Sequence, residues 1–239
     1  MCPTILSKLL LWGRSVTDFI FPRYCLCCHN RLAEGERFVC SHCLLRLPQT
    51  EHASFTDNEM ARTFWGLVPV HHATSCLVYA KSSPVAQILS ALKYRGCPEV
   101  GLYMGRIMAR QLLPKGFFSG IDIIVPVPLS RLKERQRGYN QSLWIARGIA
   151  EVTGLGIDAS SVVRTVSNPS QTGLRMEERR TSVRGIFQVK SPQSLEGKHI
   201  LLIDDVITTG STLLSCAETI AGSCRVTVSL LTLAQTDRL

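Results

Sequence analysis

The 239-residue sequence has no uninterrupted apolar run of about 18 or more residues, and so it offers no candidate transmembrane helix. It also has no internal repeat and no low-complexity segment. The apolar start of the chain carries Lys8 and Arg14 and is followed by no small-residue cleavage site, which argues against a secretory signal. These absences exclude integral membrane, solenoid and secreted classes and predict a folded globular protein.

Acidic residues are scarce, with 18 Asp and Glu against 27 Lys and Arg, which gives a net charge of +9. A basic balance of this size favours polyanionic partners such as phosphates, nucleic acid or an acidic membrane surface, without choosing among them. The cations concentrate in two clusters, one of Arg131, Lys133, Arg135 and Arg137, the other of Arg175, Arg179, Arg180 and Arg184. Solvated charged surface is the alternative interpretation of both clusters.

Cysteine is abundant, and its distribution excludes a secreted disulfide scaffold. Of the ten cysteines, five lie between Cys25 and Cys43, and the others are scattered through apolar or helical surroundings. A disulfide-stapled domain would be short and evenly cross-linked. We therefore expect a reducing compartment and a cytoplasmic location.

Two C-x-x-C pairs, Cys25–Cys28 and Cys40–Cys43, are eleven residues apart. The two-residue spacer turns both thiolates of a pair toward one point, and two such turns make a closed tetrahedral site of structural zinc. Cys27, His29 and His42 are nearby candidate ligands, but Cys27 does not keep the spacing to Cys28. Buried or redox-active cysteine is the alternative, although no βαβ pattern of the thioredoxin type surrounds either pair.

The order of apolar patterns predicts an α/β domain with a mostly parallel sheet after a small cysteine-rich module. Residues 5–21 have an amphipathic helical pattern, for packing or for binding a membrane surface or partner. We predict an N-terminal helix and zinc module over 1–48, a linker over 49–74 and the α/β domain over 75–239. In that domain we expect strands at 76–80, 121–127, 162–166, 199–203 and 226–233, and helices at 84–94, 100–113, 139–152 and 212–221.

The most informative segment is 200–212, where a buried strand is followed by two acids, a polar loop and a helix start. Ligands bind at the carboxyl ends of parallel strands, and the N–H groups of such a loop can surround a phosphate. Asp204 and Asp205 are placed to accept hydrogen bonds from vicinal ribose hydroxyls. The candidate ribose-phosphate residues are Asp204, Asp205, Val206, Thr208, Thr209, Gly210, Ser211 and Thr212.

The common nucleotide-binding loops do not fit this segment. The sequence has no G-x-x-x-x-G-K-[ST] motif and no G-x-G-x-x-G motif after a strand, so both of these phosphate loops are excluded. A solvated Asp pair beside an ordinary Thr/Ser helix cap is the remaining alternative.

The segment resembles the motif by which type I phosphoribosyltransferases bind 5-phosphoribosyl 1-pyrophosphate (PRPP). Together with the upstream cysteine pairs, the chain is similar over nearly its full length to the ComF family. The further matches are Phe21 to Cys25, Leu92 to Gly96, Val125 to Pro128 and Arg137 to Gln141.

The resemblance implies a type I phosphoribosyltransferase-like sheet with a mobile hood over a site for PRPP and magnesium. Asp204 and Asp205 would be the catalytic pair that holds the ribose hydroxyls, and Thr208 to Thr212 would hold the 5-phosphate. Pyrophosphate and hood contacts would come from Arg131, Lys133, Arg135, Arg137, Arg179 and Arg180. Ser182 departs from the family, in which Asn is usual at that position.

Two function classes follow from these observations. In the first, the protein is an enzyme that transfers ribose 5-phosphate from PRPP to an acceptor. In the second, the site only binds PRPP or ribose 5-phosphate, and the basic clusters contact single-stranded DNA. The ComF resemblance implies a role in DNA uptake and natural transformation, with competence proteins as partners.

Overall fold

A computed structural model describes residues 22–52, 57–165 and 185–237. The chain divides into two compact units, Met1–Leu47 and Pro48–Leu239. The helix predicted over 5–21 lies outside the described residues. Within the described ranges, every helix is too short or too polar to cross a membrane.

Residues 22–47 of the first unit form a small cysteine-rich module that contains a short helix, α1 (Ser41–Leu45). Cys40 caps this helix, and its sulfur accepts a hydrogen bond from the Cys43 N–H at 3.4 Å. The carboxylate of Glu36 accepts bonds from the N–H groups of Ala33 (2.8 Å) and Ser41 (2.7 Å). These bonds hold the turn that leads into α1. They are important for stability because so short a segment has little apolar surface to bury.

The second unit contains a five-stranded parallel sheet in the order β1-β7-β6-β2-β3. Its strands are β1 (His72–Tyr79), β2 (Ile123–Pro126), β3 (Gly156–Ile157), β6 (His199–Ile207) and β7 (Thr227–Thr236). A separate antiparallel pair is formed by β4 (Val162–Arg164) and β5 (Phe187–Val189). This architecture confirms the predicted α/β fold class.

In the described part of this unit, six helices accompany the sheet, and most begin at a recognisable cap. Ser83 caps α3, with Pro84 in its first turn, and Asn140 caps α6. The six are α2 (Glu59–Arg62), α3 (Pro84–Tyr94), α4 (Glu99–Leu112), α5 (Arg131–Arg137), α6 (Gln141–Thr153) and α7 (Ser211–Ala221). Short 3-10 turns lie at Leu113–Lys115 and Pro192–Ser194.

The core of this unit lies around the central strands β6 and β7. Residues Ile200 to Ile203 are fully buried, as expected for a strand covered on both faces. Met60 and Phe64 are also buried in the core, although the sequence places them in the range 49–74 that we predicted as a linker. This range therefore contains a helix and core residues, because α2 buries Met60 and Ala61 and the turn after it buries Phe64.

Strand β6 and the segment of the first basic cluster also differ from the sequence prediction. Strand β6 continues beyond Ile203 to Ile207, because its pairing with β7 persists through Asp204–Thr232 and Ile207–Gln235. The segment with the first basic cluster, where no helix was predicted, is helix α5, which follows the Ser130 cap and ends before Gly138. Gly138, the C-cap residue, has φ +79°, a left-handed backbone conformation that ends the helix.

Candidate functional site

The two predicted carboxylates lie near the carboxyl end of β6, and Asp205 forms an ion pair. The distance from Lys93 Nζ to Asp205 Oδ1 is 2.9 Å, and Asp205 is only 7% exposed. Lys93 is in the last turn of α3, so a helix distant in sequence brings a cation to this end of the sheet. The charge of Asp205 is therefore balanced within the protein.

Asp204 has a different environment from its neighbour. Its Oδ1 accepts hydrogen bonds from the Ser142 hydroxyl and from the Asp205 N–H, both at 2.9 Å. Burial and then the negative charge of Asp205 raise the pKa of Asp204 to about 7. A carboxyl group in this state exchanges its proton near neutral pH, which makes Asp204 sensitive to any cation or hydroxyl that binds beside it.

The predicted phosphate loop follows β6 and leads into α7. Residues Asp204 and Val206 to Leu213 line a cavity of about 30 Å³. Gly210 has φ +73° and caps α7 without a side chain, and the hydroxyls of Thr209 and Ser211 are 2.9 Å apart. A Cβ at Gly210 would lie 2.9 Å from Thr63 Cγ2. Backbone conformation and space both require glycine here, and the loop leaves N–H groups and hydroxyls available for an anion.

Helix α5 presents its cations in two directions. Lys133 is surrounded by other cations: burial lowers its pKa, and the positive charges of Arg164, Arg137 and Lys93 lower it further, while Asp205 raises it. The guanidinium of Arg137 also lies 5.5 Å from the centre of the Tyr94 ring. Lys133 and Arg137 therefore belong to the same charged cluster as Lys93 and Asp205.

The other predicted basic residues are placed differently. Arg131 lines a separate cavity, and Arg135 is exposed. Arg179 and Arg180, predicted as hood contacts, lie outside the described residues. The structure thus brings Lys133 and Arg137 to the Asp205 region, and leaves the roles of all the predicted site residues as predictions.

Sequence reasoning missed several residues that organise the site. The Tyr139 hydroxyl donates to the Leu92 carbonyl at 2.7 Å, which ties the start of α6 to the turn of α3 that carries Lys93. Asn140 donates to the Val127 carbonyl at 3.0 Å and thereby fixes the chain after β2. The motif Arg137 to Gln141 was visible in the sequence, but the long-range partners of Tyr139 and Ser142 were not.

A second cavity, of about 490 Å³, lies between the β4–β5 pair, α5 and the start of α6. Its apolar lining includes Pro126, Pro128 and Val162, and its polar lining includes Arg131 and Arg164. This volume is within the range of small-molecule sites.

In the first unit, the four predicted cysteines form one cluster. The sulfurs of Cys25, Cys28, Cys40 and Cys43 all lie within 4.8 Å of one another. The Cys28 and Cys40 sulfurs are 3.8 Å apart, which matches the edge of a tetrahedron with metal–sulfur bonds of about 2.3 Å. The cluster can therefore hold a metal ion such as zinc.

Hydrogen bonds distinguish Cys25 from Cys27. The Cys25 sulfur accepts from the N–H groups of Cys40 (3.3 Å) and Cys27 (3.4 Å). Burial alone would raise the pKa of Cys25, but backbone hydrogen bonds from Cys40, Cys28 and Cys27 lower it to about 6. Burial and the charge of Cys25 raise the pKa of Cys27 to about 12. The geometry separates the two residues in the same way, because the Cys25 sulfur belongs to the four-sulfur cluster and the Cys27 sulfur does not.

A family model described as "Phosphoribosyl transferase domain" matches residues 96–235, which is more than half of the chain. The protein therefore belongs to the phosphoribosyl transferase domain family. The matched range contains Asp204, Asp205, the phosphate loop and α5.

Curated relatives confirm the resemblance to the ComF family. Competence protein ComFC of Bacillus subtilis is 28% identical over 214 residues, which cover 89% of this chain and 84% of that protein. Competence protein F of Haemophilus influenzae is 22% identical over 204 residues, covering 79% and 86%. DNA utilization protein YhgH of Escherichia coli O157:H7 is 25% identical over 232 residues, covering 90% and 98%.

Among solved structures, a crystal structure of adenine phosphoribosyltransferase matches with 16% identity and a TM-score of 0.38. The match covers 62% of this chain and 75% of that one.

Proposed function

We propose that the second unit binds PRPP with magnesium and acts as a phosphoribosyltransferase in a protein associated with DNA uptake. The observation that carries the proposal is the juxtaposition of Asp204 and Asp205 with the loop Thr208 to Thr212 at one end of β6. Membership of the phosphoribosyl transferase domain family supports PRPP as the ligand. The names of the competence and DNA utilization relatives support the association with DNA uptake.

Each part of PRPP has a complementary partner in this arrangement. The loop N–H groups and the start of α7 would hold the 5-phosphate, and the two carboxylates would accept bonds from the ribose hydroxyls. Lys93, Lys133 and Arg137 would face the pyrophosphate. Magnesium bound with PRPP would supply further charge neutralisation, and the carboxylates are oxygen donors of the kind it takes.

The proposed reaction is a substitution at C1 of the ribose. The bond from C1 to the pyrophosphate oxygen breaks, and pyrophosphate leaves with the electron pair. A lone pair of the acceptor forms the new bond to C1, and the acceptor releases its proton. Fixed cations around the leaving group would stabilise the charge that develops on it.

Calorimetry with PRPP and magnesium tests the binding part of the proposal. We expect the double variant Asp204→Asn/Asp205→Asn to lose at least about tenfold in affinity, because charge-assisted bonds to the ribose hydroxyls are lost. Arg110→Gln, a change at an exposed position of α4, is the matched control and should bind as the wild type does. Absence of any heat at millimolar PRPP would overturn the proposal.

Turnover is a separate question from binding. Release of pyrophosphate, measured with a panel of amine, base and anionic acceptors, would establish the enzyme. If PRPP binds but no acceptor leads to release of pyrophosphate, the second unit is a PRPP-binding module and not a transferase.

A second candidate function, binding of single-stranded DNA, is favoured by the surface around α5. Tyr94 is 75% exposed, Arg137 lies against its ring, and the exposed Lys133 precedes Arg137 by one turn of α5. An exposed aromatic ring with cations near it suits stacking of a base and contact with phosphates.

Fluorescence anisotropy with a labelled oligonucleotide tests this second function. Raising salt from about 50 to 200 mM should weaken binding by about tenfold or more if several phosphates are contacted. Tyr94→Ala should weaken binding without changing this salt dependence, because it removes stacking and no charge. Binding that does not respond to salt would exclude the surface as a DNA site.

For the first unit, we propose that zinc is the metal and that its role is structural. Four thiolates close the coordination sphere and leave no position for water, which is the pattern of structural zinc. Cys25, Cys28, Cys40 and Cys43 would be the ligands.

A further inference from the structure

The 490 Å³ cavity beside the proposed PRPP site carries an excess of positive charge. Arg131 of α5, Arg164 of β4 and Lys190 line it, and Glu134 is the acidic residue among its lining. Arg131 and Lys190 are exposed and remain hydrated, whereas Arg164 is partly buried, so Arg164 is the cation whose desolvation costs free energy unless a partner compensates it.

Arg164 is the most informative cation of this lining. Its Nε atom is buried and has no hydrogen-bond partner among the described residues. The guanidinium lies 5.4 Å from the centre of the Phe187 ring, so one face is covered by an aromatic side chain. A guanidinium carries five donors arranged for a carboxylate or phosphate, and an unused buried donor is costly unless a ligand satisfies it.

Arg164 also connects the cavity with the proposed ribose site. Burial lowers its pKa, and the negative charge of Asp204 raises it, so the two groups act on each other electrostatically. Arg164 acts on Lys133 in the same way. Pro126 lines the cavity and pairs with Ile203, the residue before Asp204, so a molecule in the cavity would lie beside the end of β6 where the ribose is proposed to bind.

The rest of the lining is mixed, with apolar side chains on one part of it and the polar Asn140, Thr165 and Gln188 on the other. Pro126 and Pro128 follow β2, Leu143 comes from α6, and Val162 comes from β4. These side chains offer no hydrogen bonds, and they suit the flat or apolar body of a ligand.

We propose that this cavity is the acceptor site and that it takes an acceptor with an apolar body and an anionic group, a carboxylate or a phosphate. The inference rests on the proposed function and deepens it by naming the acceptor class. Arg164 would bind the anionic group, with Lys190 and Arg131 contributing further positive charge.

The test compares matched probes by ligand-observed NMR on the full chain, with and without saturating ribose 5-phosphate and magnesium. The pairs are benzoate against benzamide and phenyl phosphate against phenol. We expect the anionic member of at least one pair to bind about tenfold more tightly than its uncharged match, as a charge-assisted bond allows. The pair that shows the preference identifies carboxylate or phosphate.

Arg164→Gln should reduce that preference to within about twofold, as expected when a charge-assisted bond is removed. A second variant, Lys190→Gln, shows whether the effect of Arg164→Gln is purely structural. It should reduce the preference for the anionic probe in part. Arg225→Gln is the control, because its side chain is 90% exposed and lies outside the cavity lining. Thermal unfolding of each variant verifies that it is folded.

Equal binding of both members of both pairs would overturn the inference, as would an unchanged preference in folded Arg164→Gln. These outcomes differ from failure of the proposed function, which ribose 5-phosphate and PRPP binding report separately. A protein that binds PRPP but shows no preference for anionic probes would retain the function and lose the acceptor class.

Discussion

At the residue scale, two adjacent carboxylates have opposite electrostatic situations. Asp205 has Lys93 at 2.9 Å, whereas Asp204 has a hydroxyl and an N–H as its hydrogen-bond donors. Successive side chains of a strand point to opposite faces, and this separates their partners. Asp205 therefore has a cation as its direct partner, whereas the direct partners of Asp204 are uncharged hydrogen-bond donors.

The raised pKa of Asp204 gives Asp204→Asn a pH-dependent effect on stability. The ordinary pKa of 3.8 in the unfolded chain rises to about 7 in the folded protein. Protonated Asp204 fits the fold, so the wild type loses stability as the pH rises from about 4 to about 7. We expect Asp204→Asn to unfold near the wild-type temperature at pH 4 and at a higher temperature at pH 8. Thermal unfolding between these values measures the difference, and a shift that does not vary with pH would contradict the raised pKa of Asp204.

Asp158→Asn is a control of opposite sign. Burial would raise the pKa of Asp158, but hydrogen bonds from Ser161 and Ser160 outweigh it and lower the pKa to about 2. Ionised Asp158 stabilises the fold at neutral pH, and that stability is lost as the pH falls through about 2. Asp158→Asn should therefore lower the unfolding temperature at pH 7.

Gly210 offers a second residue-scale prediction with a matched control. Gly210 (φ +73°) and Gly116 (φ +72°) share the left-handed conformation, but a Cβ meets Thr63 at the first and nothing within 4 Å at the second. Gly116→Ala should cost about 1–2 kcal/mol of unfolding free energy and leave ribose 5-phosphate binding unchanged. Gly210→Ala should cost more and should weaken ribose 5-phosphate and PRPP together. Denaturant unfolding and calorimetry measure the two effects, and equal effects at both positions would refute the role of Gly210.

Much of this residue-scale picture could be predicted, because the acids and the phosphate loop are neighbours in sequence. Lys93 could be seen only as a cation at a helix end, which the helix dipole favours anyway. Ser142 and Arg164 gave no local signal. Their importance comes from contacts with residues far along the chain, and a single sequence does not encode such contacts in its periodicity.

At the element scale, the elements with an apolar stripe were predictable and the polar ones were not. Helix α3 has Pro84 in its first turn and buries Val85, Ile88 and Leu89, so its prediction is confirmed. Helix α5 buries no residue, and its charged sequence gives no helical period. Its first turn is capped instead by the Ser130 hydroxyl, which accepts a hydrogen bond from the Lys133 N–H at 3.3 Å. The extension of β6 to Ile207 depends on pairing with β7, which no local pattern contains.

The position of α5 predicts a difference between two ligands. Lys133 lies within the influence of Lys93, Arg137 and Asp205, where the pyrophosphate is proposed to bind. Lys133→Gln should weaken PRPP by about tenfold, the equivalent of about 1.4 kcal/mol, and spare ribose 5-phosphate, which has no pyrophosphate. Arg137→Gln should act in the same direction. Calorimetry with both ligands measures the contrast, and equal weakening of both would place Lys133 at the 5-phosphate or show a structural defect.

At the scale of the whole molecule, the two units depend on different kinds of stabilisation. The second unit has a continuous core of buried apolar residues around β6 and β7. The first unit has few buried side chains, among them Cys25 and Val39, and its four cysteines meet at one point. A segment this small generally needs a metal or cross-links to fold. Both the parallel sheet and the cysteine module could be predicted from composition and spacing.

Cys40→Ser should therefore disrupt the first unit and leave PRPP binding by the second unit unchanged. Cys40 is both a candidate ligand and the cap of α1, so its loss removes one thiolate and one helix-capping contact. We expect about one zinc per chain in the wild type, loss of that zinc in the variant, and proteolysis confined to the first unit. Cys27→Ser is the matched control, because Cys27 is outside the four-sulfur cluster, and it should keep the metal.

PRPP affinity, measured by calorimetry, should stay within about twofold of the wild type in both variants, because the proposed PRPP residues all belong to the second unit, Pro48–Leu239. Wild-type protein purified under reducing conditions without zinc would eliminate the metal site, and a large loss of PRPP affinity in Cys40→Ser would show that the units are coupled.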